Sequence, residues 1–173
     1  LMPSGGSDAR ATQSGTLVAL HHRELVRPDM SDVLARLSEE RDGRPEADAA
    51  MLRLAVRARE RAERLPERLV RDISEACSRS VSAWTAARRG GDTAAFSAAL
   101  ADVVALKRRE AEAIGVGHEP YDALLDEYEP YTRVADLEPV FADLRARLTP
   151  LVEAASERPD VTLPTHEWDA DAQ

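Results

Sequence analysis

Apolar residues recur every three or four positions along most of this chain, the spacing that places side chains on one face of an α-helix. No segment shows the two-residue alternation of a β-strand. Glycines and prolines divide the pattern into about six to seven helices. The sequence therefore predicts an all-α fold, a multi-helix bundle of antiparallel helical hairpins with no sheet. The expected helices cover about residues 8–26, 31–41, 45–65, 66–90, 92–114, a short helix from 120, and 136–155.

The helix ends are predicted from the residues that flank each periodic stretch. Gly115 suits the left-handed position after the fifth helix, and Pro150 is expected to kink the last one. The third and fourth helices are expected to pack against each other as a hairpin. Four residues with a side-chain oxygen are expected to cap the helices that they precede: Ser7, Ser31, Asp92 and Asp136.

The last helix carries a long run of apolar positions that are expected to form its buried face. Beyond it, residues 159–173 are expected to form a loose tail, because Val161 to Trp168 has the character of extended coil. We therefore expect one helical domain over residues 1–173. The apolar positions of the last helix are Leu137, Val140, Phe141, Leu144, Leu148, Leu151, Val152 and Ala155.

The composition supports the helical prediction and narrows the range of partners. Hydrophobic residues make up 43% of the 173 residues and aromatic residues only 4%. The net charge of −9 disfavours nucleic acid and anionic membranes as partners. No apolar run is long enough to span a bilayer. The single cysteine, Cys77, fits a reducing, cytoplasmic setting and is expected to be buried and unreactive, because it lies on an apolar stripe with Ile73 and Trp84.

Four acidic residues and two tyrosines stand within the ten positions from Tyr121 to Pro130. This run, with Pro120 before it, resembles the Pro-Tyr-Asp-Ala-Leu-Leu-Asp-Glu-Tyr-Glu-Pro segment of the carboxypeptidase Taq family of zinc metallocarboxypeptidases. Tyr131 departs from that pattern, since the family usually has glycine there, and glycine permits backbone angles that tyrosine disfavours. The likeness extends to the N-terminal Met-Pro-x-Gly-Gly segment, to the Leu-Lys-Arg run in 105–110 and to the helix over 141–151.

The resemblance implies a fold and a function for the larger protein. It implies the N-terminal helical part, or lid, of an enzyme that removes single C-terminal amino acids from peptides with one zinc or cobalt ion. The implied partners are the remainder of the catalytic domain, a peptide substrate and a second copy in a homodimer. In that family the metal ligands lie C-terminal to the stretch that this chain matches. No catalytic, cofactor-binding or metal-binding residue is therefore assigned, and the chain is expected to be a truncated fragment that is inactive alone.

The histidines do not form the motif that such a peptidase needs, His-Glu-x-x-His on one helix face. His118 and His166 are each followed by glutamate, but no histidine stands four positions after either of them. His21 and His22 are adjacent and point about 100° apart around a helix, so they cannot chelate one ion together. We expect one of this pair to be half-buried and the other exposed.

Two charged segments remain as candidates for binding. The acidic residues Asp122, Asp126, Glu127 and Glu129 suit a divalent cation, a solvated helix face or a basic partner within the chain. Such a basic segment is formed by Arg53, Arg57, Arg59, Arg61, Arg64, Arg68 and Arg71. Because Glu60, Glu63 and Glu67 are interleaved with these arginines, we expect ion pairs rather than a nucleic-acid patch. Glu60 and Glu67 each precede an arginine by four residues.

Two other functions stay open at this point. One is a self-contained, non-catalytic helical module that binds a protein or peptide through the Arg53 to Arg71 region or the acidic helix. The other is a stand-alone hydrolase with an unfamiliar site. A His-Glu-x-x-His motif encoded downstream and in frame would distinguish the enzyme fragment from the module.

Overall fold

The computed structural model describes residues 4–40, 43–115 and 119–158. These residues form a short 3₁₀ turn at Ser4–Gly6 and seven α-helices, with no strand among them, which confirms the predicted fold class. No helix in these ranges is long and apolar enough to cross a membrane. The helices are α1 (Ser7–Leu25), α2 (Pro28–Glu39), α3 (Glu46–Glu63), α4 (Glu67–Gly90), α5 (Thr93–Ile114), α6 (Pro120–Leu125) and α7 (Val134–Ser156).

The chain divides into two compact units, Leu1–Tyr131 and Thr132–Gln173. In the first unit α4 packs along both α1 and α5, α5 contacts α6, and α2 contacts α3. The predicted hairpin of α3 with α4 is wrong: within the described residues α4 pairs with α1 and α5 instead. Gly91, with a φ of 68°, ends α4 in the left-handed region, and the chain then turns directly into α5.

The contact between α1 and α4 depends on small side chains. Ala11, Gly15 and Ala19 are buried at intervals of four residues on α1. A Cβ atom on Gly15 would lie 2.7 Å from Cγ of Glu75 on α4, closer than carbon atoms approach without displacement. Glycine at this position therefore allows α1 and α4 to approach closely.

The residues at several helix ends act as predicted, although some helices begin at other residues than expected. The Asp92 side chain accepts a 3.0 Å hydrogen bond from the Ala94 N–H, as predicted. Gly115 has a φ of 60°, which confirms its predicted left-handed conformation. The second helix begins at Pro28 rather than after Ser31, because proline is tolerated where a first-turn N–H has no helical partner.

The predicted caps of the first and last helices need similar corrections. Gly6, not Ser7, is the N-cap of α1. The last helix begins at Val134, and Asp136 accepts a 3.1 Å hydrogen bond from the Arg133 N–H, so it closes a capping box from inside the helix. The helix continues through Pro139 and Pro150. The kink expected at Pro150 stays a prediction.

Burial differs from prediction at two places. α7 has no buried residue, and Val140, Phe141, Leu144, Leu148, Leu151 and Val152 are all exposed. It is the one helix among the described residues of its unit, so no neighbour within that unit covers its apolar face. Cys77 is half-buried on α4 rather than fully buried. The predicted tail, residues 159–173, lies outside the described residues.

Candidate functional site

The arginines of α3 join the ends of two other helices. Arg57, Arg61 and Arg64 are four and three residues apart, so they lie along one side of the helix. Each donates to a main-chain carbonyl oxygen of α6 or α5: Asp126 for Arg57, Ala123 at 2.8 Å for Arg61, and Ile114 at 2.8 Å for Arg64. Carbonyl groups at a helix C-terminus lack helical partners and form the negative end of its dipole. These guanidinium groups therefore stabilise the ends of α5 and α6.

Arg57 and Asp126 form the centre of this arrangement. Nη2 of Arg57 lies 2.7 Å from Oδ2 of Asp126, and both side chains are mostly buried. Oδ1 of Asp126 accepts a 3.0 Å hydrogen bond from the Tyr131 N–H. The Arg57 guanidinium also lies over the Tyr131 ring, 5.1 Å from its centroid. The carboxylate of Asp126 thus holds the turn after α6 against α3.

Tyr131 occupies the left-handed region with a φ of 69°, the one positive φ of a non-glycine residue in the described ranges. This angle is unfavourable for a residue with a Cβ atom. The departure from glycine noted in the sequence therefore falls on a position whose backbone requires the left-handed conformation. Contacts with Asp126 and Arg57 offset part of that cost.

A buried carboxylate on α5 lies behind the arginines. Glu110 is only 6% exposed, and its oxygens lie 3.2 Å from Nη2 of Arg61 and 2.7 Å from Nζ of Lys107. Burial opposes the charge on Lys107, but the hydrogen bond and the negative charge of Glu110 outweigh it and raise the pKa of the lysine. Glu110 was not predicted from the sequence as a buried or functional residue. The available signal was its position next to Ala111 and four residues before Ile114, on the inward face of α5.

On another side of α3, Arg59 reaches α1. Its side chain is 9% exposed and lies 2.6 Å from Oε1 of Glu63. Near it, Nε2 of the buried His22 lies 2.9 Å from the Ala62 carbonyl oxygen, so this nitrogen carries the proton. His21 is exposed, as predicted for one of the pair, whereas His22 is buried rather than half-buried.

A cavity of about 410 Å³ opens beside the side of α3 that carries Arg57, Arg61 and Arg64. The apolar residues Leu52, Val56 and Ile114 line it, together with Ser38 and Tyr131. The charged residues around it are Arg53, Arg57, Arg61, Arg64, Glu60 and Asp126. Each of them lies in the basic or the acidic segment that the sequence singled out.

Of the readings left open for the acidic residues, a basic partner within the chain is the one that the ion pairs support. Asp126 pairs with Arg57, and Glu127 lies 3.5 Å from Arg61. The predicted pair of Glu67 with Arg71 is present at 3.7 Å. Arg64 does not pair with Glu60 as expected, because it donates to the carbonyl at the end of α5. The other arginines of the segment also have acidic partners: Glu46 for Arg53, Glu63 for Arg59 and Asp72 for Arg68.

The whole chain, residues 1–173, matches the profile of carboxypeptidase Taq (M32) metallopeptidases. The chain belongs to this family. It is 31% identical over 156 residues to thermostable carboxypeptidase 1 of Pyrococcus furiosus, a match that covers 90% of the chain and 31% of that protein. It is 32% identical over 191 aligned positions to thermostable carboxypeptidase 1 of Thermus thermophilus, which covers 100% of the chain and 37% of that protein.

Solved structures of M32 carboxypeptidases share this helical fold. The crystal structure of BsuCP matches with a TM-score of 0.87 and 29% identity, over 92% of this chain and 33% of that one. Metallocarboxypeptidase 1 of Trypanosoma cruzi matches with a TM-score of 0.73 and 27% identity, over 95% of this chain and 34% of that one. The chain therefore spans about a third of the length of these relatives.

The M32 family consists of metallopeptidases, and a metal site needs several ligating side chains within reach of one ion. In residues 4–40, 43–115 and 119–158, no group of three or more His, Cys, Asp or Glu side chains is placed to hold a metal ion. His22 uses Nε2 on the Ala62 carbonyl, and Asp126 uses both carboxylate oxygens on Arg57 and Tyr131. These residues do not fit a catalytic metal. His118 and His166 lie outside the described residues.

Proposed function

We propose that this chain is the N-terminal helical segment of a metal-dependent carboxypeptidase that releases C-terminal amino acids from peptides. The observation that carries the proposal is the match to the M32 family over residues 1–173, combined with coverage of about a third of the relatives. In this proposal the chain supplies one helical wall of the substrate groove, and a further polypeptide segment supplies the chemistry.

The charged groups of the described residues support a structural role for this chain and a catalytic role for a further segment. The arginines of α3 are committed to helix ends and carboxylates, so their chemistry is structural and they do not activate water. The metal, zinc or cobalt, would be held by residues outside this chain. We therefore propose that the chain alone has no peptidase activity. A homodimer and a reducing, cytoplasmic location complete the proposal.

The test is the size and activity of the native gene product. An antibody raised against this chain is used to isolate the product from source cells, and its mass is measured. We expect a mass well above the 19.0 kDa of this chain, and metal-dependent release of leucine from a peptide that ends in free leucine. The purified chain, assayed with zinc or cobalt, should release none. Metal-dependent release by the chain alone would overturn the proposed division.

A non-catalytic binding module is the second candidate function. The cavity beside α3 favours it, because both apolar and charged side chains line this cavity. A native product close to 19.0 kDa would support the module and reject the enzyme segment. In that case, a pull-down with the chain as bait becomes the next measurement.

A further inference from the structure

We propose that the apolar side of α7 binds an amphipathic helix of the same polypeptide, outside residues 1–173, that carries acidic residues along its edges. The first observation is the spacing of the apolar residues, which alternates between four and three positions along α7. This alternation is the pattern by which two helices pack along each other. The residues with this spacing, called the α7 stripe below, are Leu137, Phe141, Leu144, Leu148, Leu151 and Ala155.

The second observation is the exposure of the α7 stripe. Phe141, Leu148 and Leu151 are 59%, 51% and 65% exposed. No residue of α7 is buried in the described part of the chain. A contiguous run of large apolar side chains with this exposure marks an interaction surface, whereas single exposed apolar residues are common. The α7 stripe therefore fits a partner that the described residues do not supply.

The two prolines of α7 indicate which side of the helix faces that partner. Pro139 and Pro150 both lie on the side opposite the α7 stripe, because Pro139 is two residues before Phe141 and Pro150 is two residues after Leu148. Proline lacks an N–H, and its ring displaces the carbonyl four residues before it, a disturbance that water can solvate on an outer face. Asp143 lies on this outer side as well. The α7 stripe itself contains no proline.

The charges beside the α7 stripe argue against a second copy of α7 as the partner. Arg145 and Arg147 lie at opposite edges of the stripe, and both are exposed. In an antiparallel pair centred on the stripe, Arg145 of one copy would face Arg145 of the other, an unfavourable contact. A parallel pair would place the arginines beside Val140 and Val152, without acidic partners. A helix with aspartate or glutamate at its edges complements these arginines.

The remaining polypeptide is the source of this helix. The chain spans about a third of the length of its relatives, so about two-thirds of a protein of their length remains available. The inference therefore rests on the proposed function, in which this chain is one segment of a longer enzyme. It adds the surface through which that segment meets the rest.

The test compares hydrogen exchange in the 173-residue chain and in the longer native product isolated with the antibody. Mass spectrometry follows peptides from α7 and, as an internal control, from α1, which packs on α4 within this chain. We expect the α7 amides to exchange at least about 100-fold more slowly in the longer product, because exchange then requires the new contact to open. The α1 amides should exchange at similar rates in both proteins.

The outcomes separate failure of this inference from failure of the proposed function. A longer product whose α7 amides exchange as fast as those of the chain would overturn the inference alone. A native product of about 19.0 kDa would overturn both. Slow exchange of α7 in the 173-residue chain would also overturn the inference. Light scattering would then show whether a second copy or the chain itself covers the stripe.

Matched variants locate the contact. Leu144→Ala shortens a side chain of the α7 stripe, and Thr149→Ala changes a residue on the outer side of the same helix. In the longer product, Leu144→Ala should lower the melting temperature by at least about 2 °C, and Thr149→Ala by less than about 1 °C. In the 173-residue chain neither variant should have an effect, since the stripe is exposed there. Equal shifts for Leu144→Ala in both proteins would reject a partner outside the chain.

A pair of variants at Arg145 tests the acidic edge of the partner. Arg145→Glu reverses the charge beside the α7 stripe, whereas Arg145→Gln only removes it. In the longer product the melting temperature should fall further in Arg145→Glu than in Arg145→Gln, because a carboxylate would face the acidic residues of the partner helix. Equal melting temperatures of the two variants would reject acidic residues at this edge.

Discussion

Nη1 of Arg59 on α3 donates a 2.6 Å hydrogen bond to the carbonyl oxygen of Leu25, the last residue of α1. The same nitrogen lies 2.8 Å from the Arg27 carbonyl oxygen. The final carbonyls of a helix lack partners and attract a cation. A buried side chain from a different helix therefore completes the C-terminus of α1 and fixes the turn into α2.

Replacing Arg59 with leucine should lower the free energy of unfolding by about 2 to 3 kcal/mol, because the carbonyls lose a charged donor and Glu63 loses its partner. Urea denaturation followed by circular dichroism measures the change. Arg68→Leu, at a position that is 90% exposed, is the matched control and should change stability by less than about 0.5 kcal/mol. Equal losses in the two variants would show that Arg59 does not act as a cap.

Substitutions at Tyr131 should separate its backbone strain from its ring contact. Tyr131→Ala removes the stack on Arg57 but keeps the Cβ atom at a φ of 69°, whereas Tyr131→Gly removes both. We expect the glycine variant to be more stable than the alanine variant by about 1 kcal/mol, since glycine adopts this region without steric cost. Thermal unfolding of the two variants gives the difference. An alanine variant as stable as the glycine variant would contradict strain at this turn.

The fold was predictable because local signals dominate in this chain. Helix type follows from apolar spacing, and several helix ends follow from Pro28, Gly91, Asp92 and Gly115, each of which acts through its own backbone or side chain. The acidic run after Pro120 and the basic segment were also recognisable as partners. The opposite charges of two segments can be read from a sequence, although the distance between the segments cannot.

The partners of each helix were not predictable, because they depend on contacts between distant residues. α1 approaches α4 closely at Gly15. Leu17, a large apolar residue of α1, is instead 68% exposed. Glu110 is buried although its residue type is usually exposed, because Arg61 and Lys107 neutralise it from two helices. The pairing of Glu110 with Arg61 depends on how α3 and α5 pack, and the sequence alone does not show that packing.

A larger side chain at Gly15 should disturb the contact of α1 with α4. Gly15→Leu should lower the free energy of unfolding by about 1 to 3 kcal/mol, since Cγ of Glu75 and Cγ of Arg71 already lie 2.7 and 3.1 Å from the Cβ position. Gln13→Leu adds a similar apolar group at an exposed position of the same helix and is the control. Guanidinium chloride denaturation compares them. An unchanged free energy of unfolding in Gly15→Leu would mean that α1 and α4 can move apart at this position without loss of stability.

The pair of Arg23 with Glu67 makes stability depend on pH in the acidic range. The hydrogen bond from Arg23, together with the positive charges of Arg23 and Arg71, lowers the pKa of Glu67 despite the opposing effect of burial. Because the unfolded chain has the ordinary glutamate pKa, it binds more protons as the medium becomes acidic. The contribution of Glu67 is therefore present at neutral pH and is lost as pH falls through the folded pKa.

Arg23→Gln should raise the pKa of Glu67 toward its ordinary value, as measured by the carboxyl carbon shift of Glu67 in an NMR titration. Asp29 is an internal control, since its pKa is lowered by a hydrogen bond from Arg27 and should not change in the Arg23 variant. If the pKa values of both Glu67 and Asp29 changed in the variant, the cause would be a general change of charge or fold. A shift confined to Glu67 would identify this pair as one origin of stability loss in acid, because removing Arg23 reduces the difference in proton binding between the folded and unfolded chain, while Arg71 remains.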